Sequence, residues 1–463
     1  MRDRLGRGFV LSNENVTIVG AGLAGSLLSV MLGQRGYDVT LFEKRSDMRR
    51  QEVDSGRSIN LALAKRGIAA LSSAGLMEKV QRLLIPMKGR HLHLSDGSED
   101  FSPYGQRQHE VIHSVSRELL NSLMMTAAED HEKVNIVFDT SLEQVDFAQK
   151  QVRFKNLKEQ SESVLDFDIL IGCDGAGSRV RRQMMPLNEG HSESDFLDHD
   201  YKELTIPPGP DGQHQLAREA LHIWPRGGFM LIALPNLDGS FTVTLFMKKS
   251  GAVSFEALQT PESVREFFQK YFPSALELIP DLATEFFENP TGRLGTLRCT
   301  PWFLGDSAMI LGDAAHAIVP FHGQGMNAAF EDCQVLCDLL DSHDQNWSKT
   351  ISEFSRLRKP DADAIAEMAL ENYITMRDSV RDEQFQLKKE VGFKLERDFP
   401  SRFVPRYSLV MFHTVPYQEV FERGQVQDEI LSKLCEGKST VGEVDFELAK
   451  RLVEKRLNEF ATH

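Results

Sequence analysis

The sequence predicts an α/β fold: a doubly wound, Rossmann-like domain split by an antiparallel-sheet domain and followed by a C-terminal helical region. Three observations predict it. Near the N-terminus a short apolar strand runs through a Gly-x-Gly-x-x-Gly turn into a helix. Strands with period-2 alternation fill residues 219–247. A second glycine-rich, strand-to-helix stretch at 308–327 then gives way to helical periodicity.

The elements follow in order. Residues 16–19 are apolar and β-branched and lead directly into Gly20-Ala21-Gly22-Leu23-Ala24-Gly25. A helical pattern covers 26–35, Gly36 is placed to end it, and 38–43 reads as the next strand, completing a βαβ unit. Residues 60–84 read as mostly helical, punctuated by Gly67 and Gly75, and 117–130 as an amphipathic helix. Strands are expected at 134–138, 144–147, 151–154 and, buried, at 168–173. Next come 221–224, 229–234 and 241–247, the last two flanking a turn at 235–239. Ile232 and Leu234 fall on one face, as do Thr242, Thr244 and Phe246. From about Ala328 the pattern is helical, broken near 400–405 and at Pro416. This order assigns 1–75, 107–185 and 290–370 to one discontinuous domain, 76–106 and 186–289 to the second, and 371–463 to the helical region.

Composition excludes several classes. Of 463 residues, 53 are Lys or Arg and 68 Asp or Glu, a net charge of −15. Such a chain is unsuited to general nucleic-acid or anionic-membrane binding, although a local basic pocket can hold an anion. The cysteines Cys173, Cys299, Cys333, Cys337 and Cys435 are odd in number and scattered, which reads as reduced thiols. Cys333 and Cys337 lie one helical turn apart without a matching Cys/His pair, so no metal site is expected. The longest purely apolar run is 229–234, whereas a spanning helix needs about 20 residues. No signal-peptide core opens the chain, and a soluble, cytoplasmic protein, monomeric or homodimeric, is expected.

The chemistry lies in three motifs. In the first, Gly20 permits a tight turn, Gly22 lets a pyrophosphate approach the backbone, and Gly25 lets helix and sheet pack closely. The helix start then offers free amides and a positive dipole. Glu43 follows Gly20 by 23 residues, where a carboxylate can accept from ribose hydroxyls and disfavours a 2′-phosphate, pointing to FAD or NAD. The second motif is Ile171-Gly172-Cys173-Asp174-Gly175-Ala176-Gly177-Ser178-Arg179-Val180-Arg181. The third is Leu311-Gly312-Asp313-Ala314-Ala315-His316, running on to Pro320-Phe321-His322-Gly323-Gln324-Gly325-Met326-Asn327. A strand ending in Gly-Asp can aim a carboxylate at a sugar hydroxyl, and the glycines that follow let backbone amides crowd a planar ring.

The three motifs in this order resemble the FAD-dependent aromatic hydroxylases of the para-hydroxybenzoate hydroxylase type. More specific stretches resemble the kynurenine 3-monooxygenase family. They are Arg57-Ser58-Ile59-Asn60-Leu61-Ala62-Leu63, Leu221-His222-Ile223-Trp224-Pro225, Ile232-Ala233-Leu234-Pro235-Asn236, Phe241-Thr242-Val243-Thr244-Leu245-Phe246, the Pro320–Asn327 run of the third motif, Glu371-Asn372-Tyr373 and Phe403-Val404-Pro405-Arg406-Tyr407-Ser408. The resemblance runs from about residue 15 to 425. It departs in one place: the eukaryotic members carry an apolar C-terminal membrane segment, whereas residues 436–463 are highly charged, so the chain looks like a soluble, bacterial-type form.

The resemblance implies an FAD monooxygenase that uses NADPH and O₂ to hydroxylate L-kynurenine to 3-hydroxykynurenine through a flavin C4a-hydroperoxide. It implies that Arg90 binds the substrate carboxylate and that Tyr104, Asn372 and Tyr407 complete the polar contacts. Leu221, Ile232, Leu234, Phe246 and Met376 would line the ring slot, and Pro320, Phe321 and His322 would border the space between flavin and substrate. For FAD it implies Gly20, Gly22, Leu23, Ala24, Gly25, Glu43, Arg45, Ala62, Arg117, Asp174 and Asp313, with Gly325, Met326 and Asn327 offering backbone amides to the ring. His316 is expected to cap or pack. Read without the resemblance, Arg90 is one arginine among many and the apolar residues are sheet core. Another flavin enzyme of this fold is the close alternative, and a non-enzymatic module resembling the GDP-dissociation inhibitors is a distant one.

Overall fold

A computed structural model describes residues 14–50, 60–378 and 383–459. Residues 1–13 and Arg57, Ser58 and Ile59 of the Arg57–Leu63 stretch lie outside the described residues. The chain forms a mixed α/β fold. A six-stranded sheet has the order Phe303–Leu304, Ala308–Ile310, Ile169–Gly172, Asn15–Val19, Asp38–Phe42, Val134–Val137. It is parallel except at the first pair. Its strands are nearly continuous apolar runs because helices cover the sheet, Leu23–Gln34 and Arg117–Glu129 among them.

The second large sheet has seven strands in the order Thr291–Thr300, His191–Ile206, Phe241–Lys248, Met230–Pro235, Ala220–Pro225, Gly89–His93, Glu99–Pro103. All neighbours are antiparallel except Gly89–His93 against Ala220–Pro225. Alternation sorts its faces. Leu231, Ala233, Val243 and Leu245 pack on the helices Pro261–Tyr271 and Leu282–Glu288, while Ile232, Leu234, Thr244 and Phe246 face the cavity described below. Gly239, at φ +91°, closes the turn at 235–239; a Cβ there would stand 2.5 Å from the Gly212 carbonyl oxygen.

One expectation is corrected. Asn60–Leu63 is not helical but a strand, held antiparallel to Ile112–Ser116, and the helix begins only at Lys65. Its four residues are too few to show a period, so pairing decides. The C-terminal breaks fall as the prolines require: Pro405 and Pro416 immediately precede the helices Arg406–Phe412 and Tyr417–Cys435. Pro360, in contrast, sits inside the unbroken 32-residue helix Trp347–Asp378. Among the described residues, no helix is long and apolar enough to cross a membrane.

Candidate functional site

A cavity of about 820 Å³ runs from the glycine turn at Gly20 to an aromatic cluster around Arg90. At the first end, backbone geometry sets the wall. Gly20 has φ +102° and donates its N–H to the Phe42 carbonyl at 2.7 Å. A Cβ on Gly20 would stand 2.5 Å from the Cys173 carbonyl oxygen, and one on Gly25 2.0 Å from that of Gly20. A Cβ on Gly22 would meet nothing within 4 Å, because that side is cavity. The fold therefore requires Gly20 and Gly25, whereas only an occupant requires Gly22. The helix from Leu23 aims its first amides at the same space, and Leu23 and Ala24 line it.

Glu43 is buried beside this turn. Its Oε2 accepts from the Ala21 N–H at 3.0 Å, and its Oε1 accepts from the backbone N–H and Nε of Arg45 at 3.0 and 2.9 Å. One carboxylate thus fixes both the glycine turn and Arg45. Lys44, Arg117, Arg179 and Arg182 line the cavity as well, a gathering of cations that suits an anionic occupant in an acidic chain.

Asp174 Oδ2 accepts from the N–H groups of Arg179 and Val180 at 2.6 and 3.3 Å, while its Oδ1 is buried without a partner. Arg181 ties the second motif to the third, donating to the carbonyls of Ala176 and Ala314, both at 2.6 Å. Asp313 lines the cavity at the start of Asp313–His316. Beneath it, Asp332 accepts from the Gly312 N–H at 3.3 Å, from His316 Nε2 at 2.5 Å and from Arg358 Nε at 2.7 Å. Burial alone would raise the Asp332 carboxyl, but His316 and Arg358 hold it at about 2. Burial alone would lower His316, yet Asp332 raises it. The histidine expected to cap or pack is half of a buried ion pair.

Ala62, Gly325 and Met326 line the cavity, but Asn327 does not. Its Oδ1 accepts from the Ala64 N–H at 2.9 Å, and its Nδ2 donates to the carbonyls of Ala62 and Gly323, both at 2.8 Å. Through its side chain Asn327 stitches the Asn60–Leu63 strand to the third motif. Gly25 is likewise a packing position, behind the lining.

The other end is built from side chains of distant segments. Arg90, from the strand Gly89–His93, lies between two tyrosines, 5.6 Å from the Tyr104 ring centroid and 4.8 Å from that of Tyr407. Those rings stack at 5.9 Å, and His322 stacks on Tyr407 at 5.3 Å. Burial raises both phenols, keeping them protonated. Among the described residues no carboxylate pairs with Arg90, and its Nε is buried without a partner. Burial pushes His322 down to about 3, so its ring is neutral, and its Nδ1 too is buried and unpartnered. Leu221, Ile232, Leu234, Phe246 and Met376 form an apolar slot beside this group, bordered by Pro320 and Phe321.

Asn372 departs from expectation. It is not part of the lining; its Nδ2 donates to the Phe321 carbonyl at 2.7 Å and reaches Met376 Sδ at 3.5 Å. It holds the Pro320–His322 turn against the long helix, assisted by Tyr373, whose ring stacks on Phe321 at 3.9 Å. Sequence reasoning missed Lys389, from the helix Glu383–Asp398. It hydrogen-bonds Ser102, the strand partner of Arg90, and burial, with Arg90 nearby, lowers it to about 8. No local pattern links Lys389 to Arg90. Thr244 and Met230, also in the lining, were legible from alternation alone.

Comparison with known proteins gives consistent results. Residues 13–368 match the FAD binding domain family. The chain is 46% identical over 447 residues to the kynurenine 3-monooxygenase of Myxococcus xanthus, covering 96% of each protein. It is 41% identical over 463 residues to that of Dictyostelium discoideum, covering 97% of this chain and 99% of the relative. In structure it is similar to PqsL, a probable FAD-dependent monooxygenase from Pseudomonas aeruginosa, with a TM-score of 0.63 and 22% identity over 79% of this chain and 97% of that one. That likeness shows the fold.

Proposed function

The chain belongs to the kynurenine 3-monooxygenase family of FAD-binding proteins, and on that premise we propose that it hydroxylates L-kynurenine to 3-hydroxykynurenine. NADPH and O₂ are consumed, and NADP⁺ and water leave with the product. FAD fits the first end of the cavity: Gly22 leaves room for a pyrophosphate, five cations face it, and the orphaned Asp174 Oδ1 awaits a hydroxyl. When bound, FAD carries electrons from NADPH to O₂ and supplies the activated oxygen atom.

The chain's own residues bind, orient and exclude water. Arg90 takes the substrate carboxylate through a guanidinium fork, with Tyr104 and Tyr407 holding its plane. The aniline ring enters the slot of Leu221, Ile232, Leu234, Phe246 and Met376, where apolar walls keep water from the activated oxygen. Neutral His322 offers Nδ1 as a hydrogen-bonding group without a charge. Pro320 and Phe321 set the ring's distance, and Asn372 holds them there. The substrate's amino group already activates the neighbouring ring carbon, so no catalytic acid–base triad is needed.

The observation that carries this reading is Arg90, a half-buried cation with its Nε buried and unpartnered and no anion among the described residues, at the end of an apolar slot. The test is NADPH oxidation by the FAD-loaded protein with and without L-kynurenine, with the product weighed. Stimulated oxidation and a product heavier by one oxygen atom are expected. Stimulation that yields only H₂O₂ would make kynurenine an effector and overturn the substrate assignment.

A further inference from the structure

The face of the seven-stranded sheet opposite Arg90 carries a cluster that the proposed reaction does not use. Alternation along Gly89–His93 sends Arg90 to the cavity and His91 and His93 to the other side. Glu99, on the antiparallel neighbour, is in register with His93, and His222, on the parallel neighbour, with His91. His91 Nε2 lies 2.9 Å from Glu99 Oε2, and His93 Nδ1 lies 3.1 Å from Glu99 Oε1. His93 Nε2 lies 3.0 Å from His222 Nδ1, and His222 Nε2 lies 2.8 Å from the Ala217 carbonyl.

This relay fixes the hydrogens. A carbonyl only accepts, so His222 Nε2 carries its hydrogen. Neutral His222 then presents Nδ1 as an acceptor, and His93 Nε2 donates to it. Neutral His93 has one ring hydrogen, so its Nδ1 aims a bare lone pair at a carboxylate oxygen that also has only lone pairs. Two lone pairs at this distance repel unless a proton or a metal ion lies between them. His93 is 5% exposed and stacks on Trp224 at 4.2 Å, so its ring is held with Nδ1 turned toward Glu99.

We propose that His91, His93 and Glu99 bind a divalent cation of the zinc class through His91 Nε2, His93 Nδ1 and a carboxylate oxygen, with a fourth position open to water. Their donor atoms lie within 4.8 Å of one another, and tetrahedral bonds of about 2.0–2.2 Å require separations of roughly 3.3–3.6 Å, a small adjustment. Imidazole with carboxylate suits zinc better than magnesium or calcium. His222 and the Ala217 carbonyl serve as the outer partners that fix the tautomer of a ligating histidine. The side chains of His91 and Glu99 are 23% and 56% exposed, which provides an entry path. None of the cysteines takes part: Cys173, Cys299, Cys333, Cys337 and Cys435 are all free and buried. The site thus departs from the expectation that the chain holds no metal.

The test uses the FAD-loaded full chain, stripped with a chelator and titrated calorimetrically with ZnCl₂. A parallel titration with Co²⁺ is read in the visible region beyond the flavin bands. A single site of micromolar or tighter affinity is expected, with the intense absorption of tetrahedral cobalt. His91→Ala and Glu99→Gln, at solvent-reachable positions, each weaken binding by at least about 100-fold while flavin content and melting of the metal-free protein hold. Absence of saturable zinc binding in the parent protein, binding that survives both substitutions, or equal competition by Mg²⁺ would overturn the proposal.

Discussion

Gly25 and Arg90 stand at opposite ends of the cavity and are constrained in opposite ways. A methyl group on Gly25 would land 2.0 Å from a carbonyl oxygen, so the folded backbone itself dictates the residue. Arg90 is half-buried beside two phenols with no anion among the described residues, so the fold gains nothing from its charge and a ligand must account for it. The flavin end is shaped by the paths of contiguous segments. The substrate end is shaped by side chains converging from strands and helices far apart in sequence. Damage to the first should therefore appear as lost folding or cofactor, and damage to the second as altered substrate handling with the cofactor retained.

The comparison is sharpest within the glycine turn. Gly25→Ala is expected to abolish the folded, yellow protein, since the backbone around Gly20 has no flexible side chain that can yield. Gly22→Ala is expected to leave the urea midpoint of the FAD-free protein unchanged within about 0.5 kcal/mol while weakening FAD binding. Equal loss of stability in both would break the distinction between fold-required and ligand-required glycines.

Asp332→Asn comes next. It leaves the buried His316 without its anion while Arg358 keeps Glu331 and Asp361, a loss of about 3 kcal/mol in urea unfolding. The pH dependence has a definite sign. The Asp332 carboxyl is depressed to about 2, so its contribution is present above the ordinary carboxylate range and is lost as pH falls toward 2. His316 is raised, so its contribution is complete below about 6.5 and fades as pH rises through the raised value. The asparagine variant should lose both limbs. A parent-like pH profile would remove the ion pair from the account.

Arg90→Ala should raise the apparent KM for L-kynurenine by about 100-fold, consistent with loss of a buried charged contact worth about 2–5 kcal/mol, with flavin content intact. Arg90→Lys should restore little, because an ammonium cannot grip a carboxylate as a fork. Asn372→Ala removes one hydrogen bond to the Phe321 carbonyl, worth about 1 kcal/mol, and should divert part of the consumed O₂ to H₂O₂. The smallest effect concerns Lys389. Its ammonium, lowered to about 8, loses charge as pH rises through that value, so the parent KM should climb about twofold above pH 8. Lys389→Met should show no such climb.

These contrasts explain what was legible beforehand. The flavin end could be read from the sequence because its geometry is local: a glycine that must turn, one that must pack and one that must leave room recur at fixed spacing. The sheet face was legible too, since Ile232, Leu234, Thr244 and Phe246 obey a period of two. Asn60–Leu63 was misread because four residues carry no period. The side-chain partners of Asn327 and Asn372 could not be read beforehand, because an amide's partners depend on which backbone lies opposite it, a tertiary fact. Lys389, and the joining of Asp332 to Arg358, were invisible for the same reason.

The helix Trp347–Asp378 has a consequence for how such chains can vary in length. Arg358, beneath the flavin seat, and Asn372, behind the substrate slot, are separated by close to four helical turns, about 21 Å, and so project from nearly the same side. A single inserted or deleted residue between them would swing one by about 100° relative to the other. Both partners are anchored elsewhere, to Asp332 and to the Phe321 carbonyl, so neither could follow. Exchanges of residue type along this stretch can drift, but its residue count acts as a ruler between two chemistries, and natural length variation should be confined to the loops on either side.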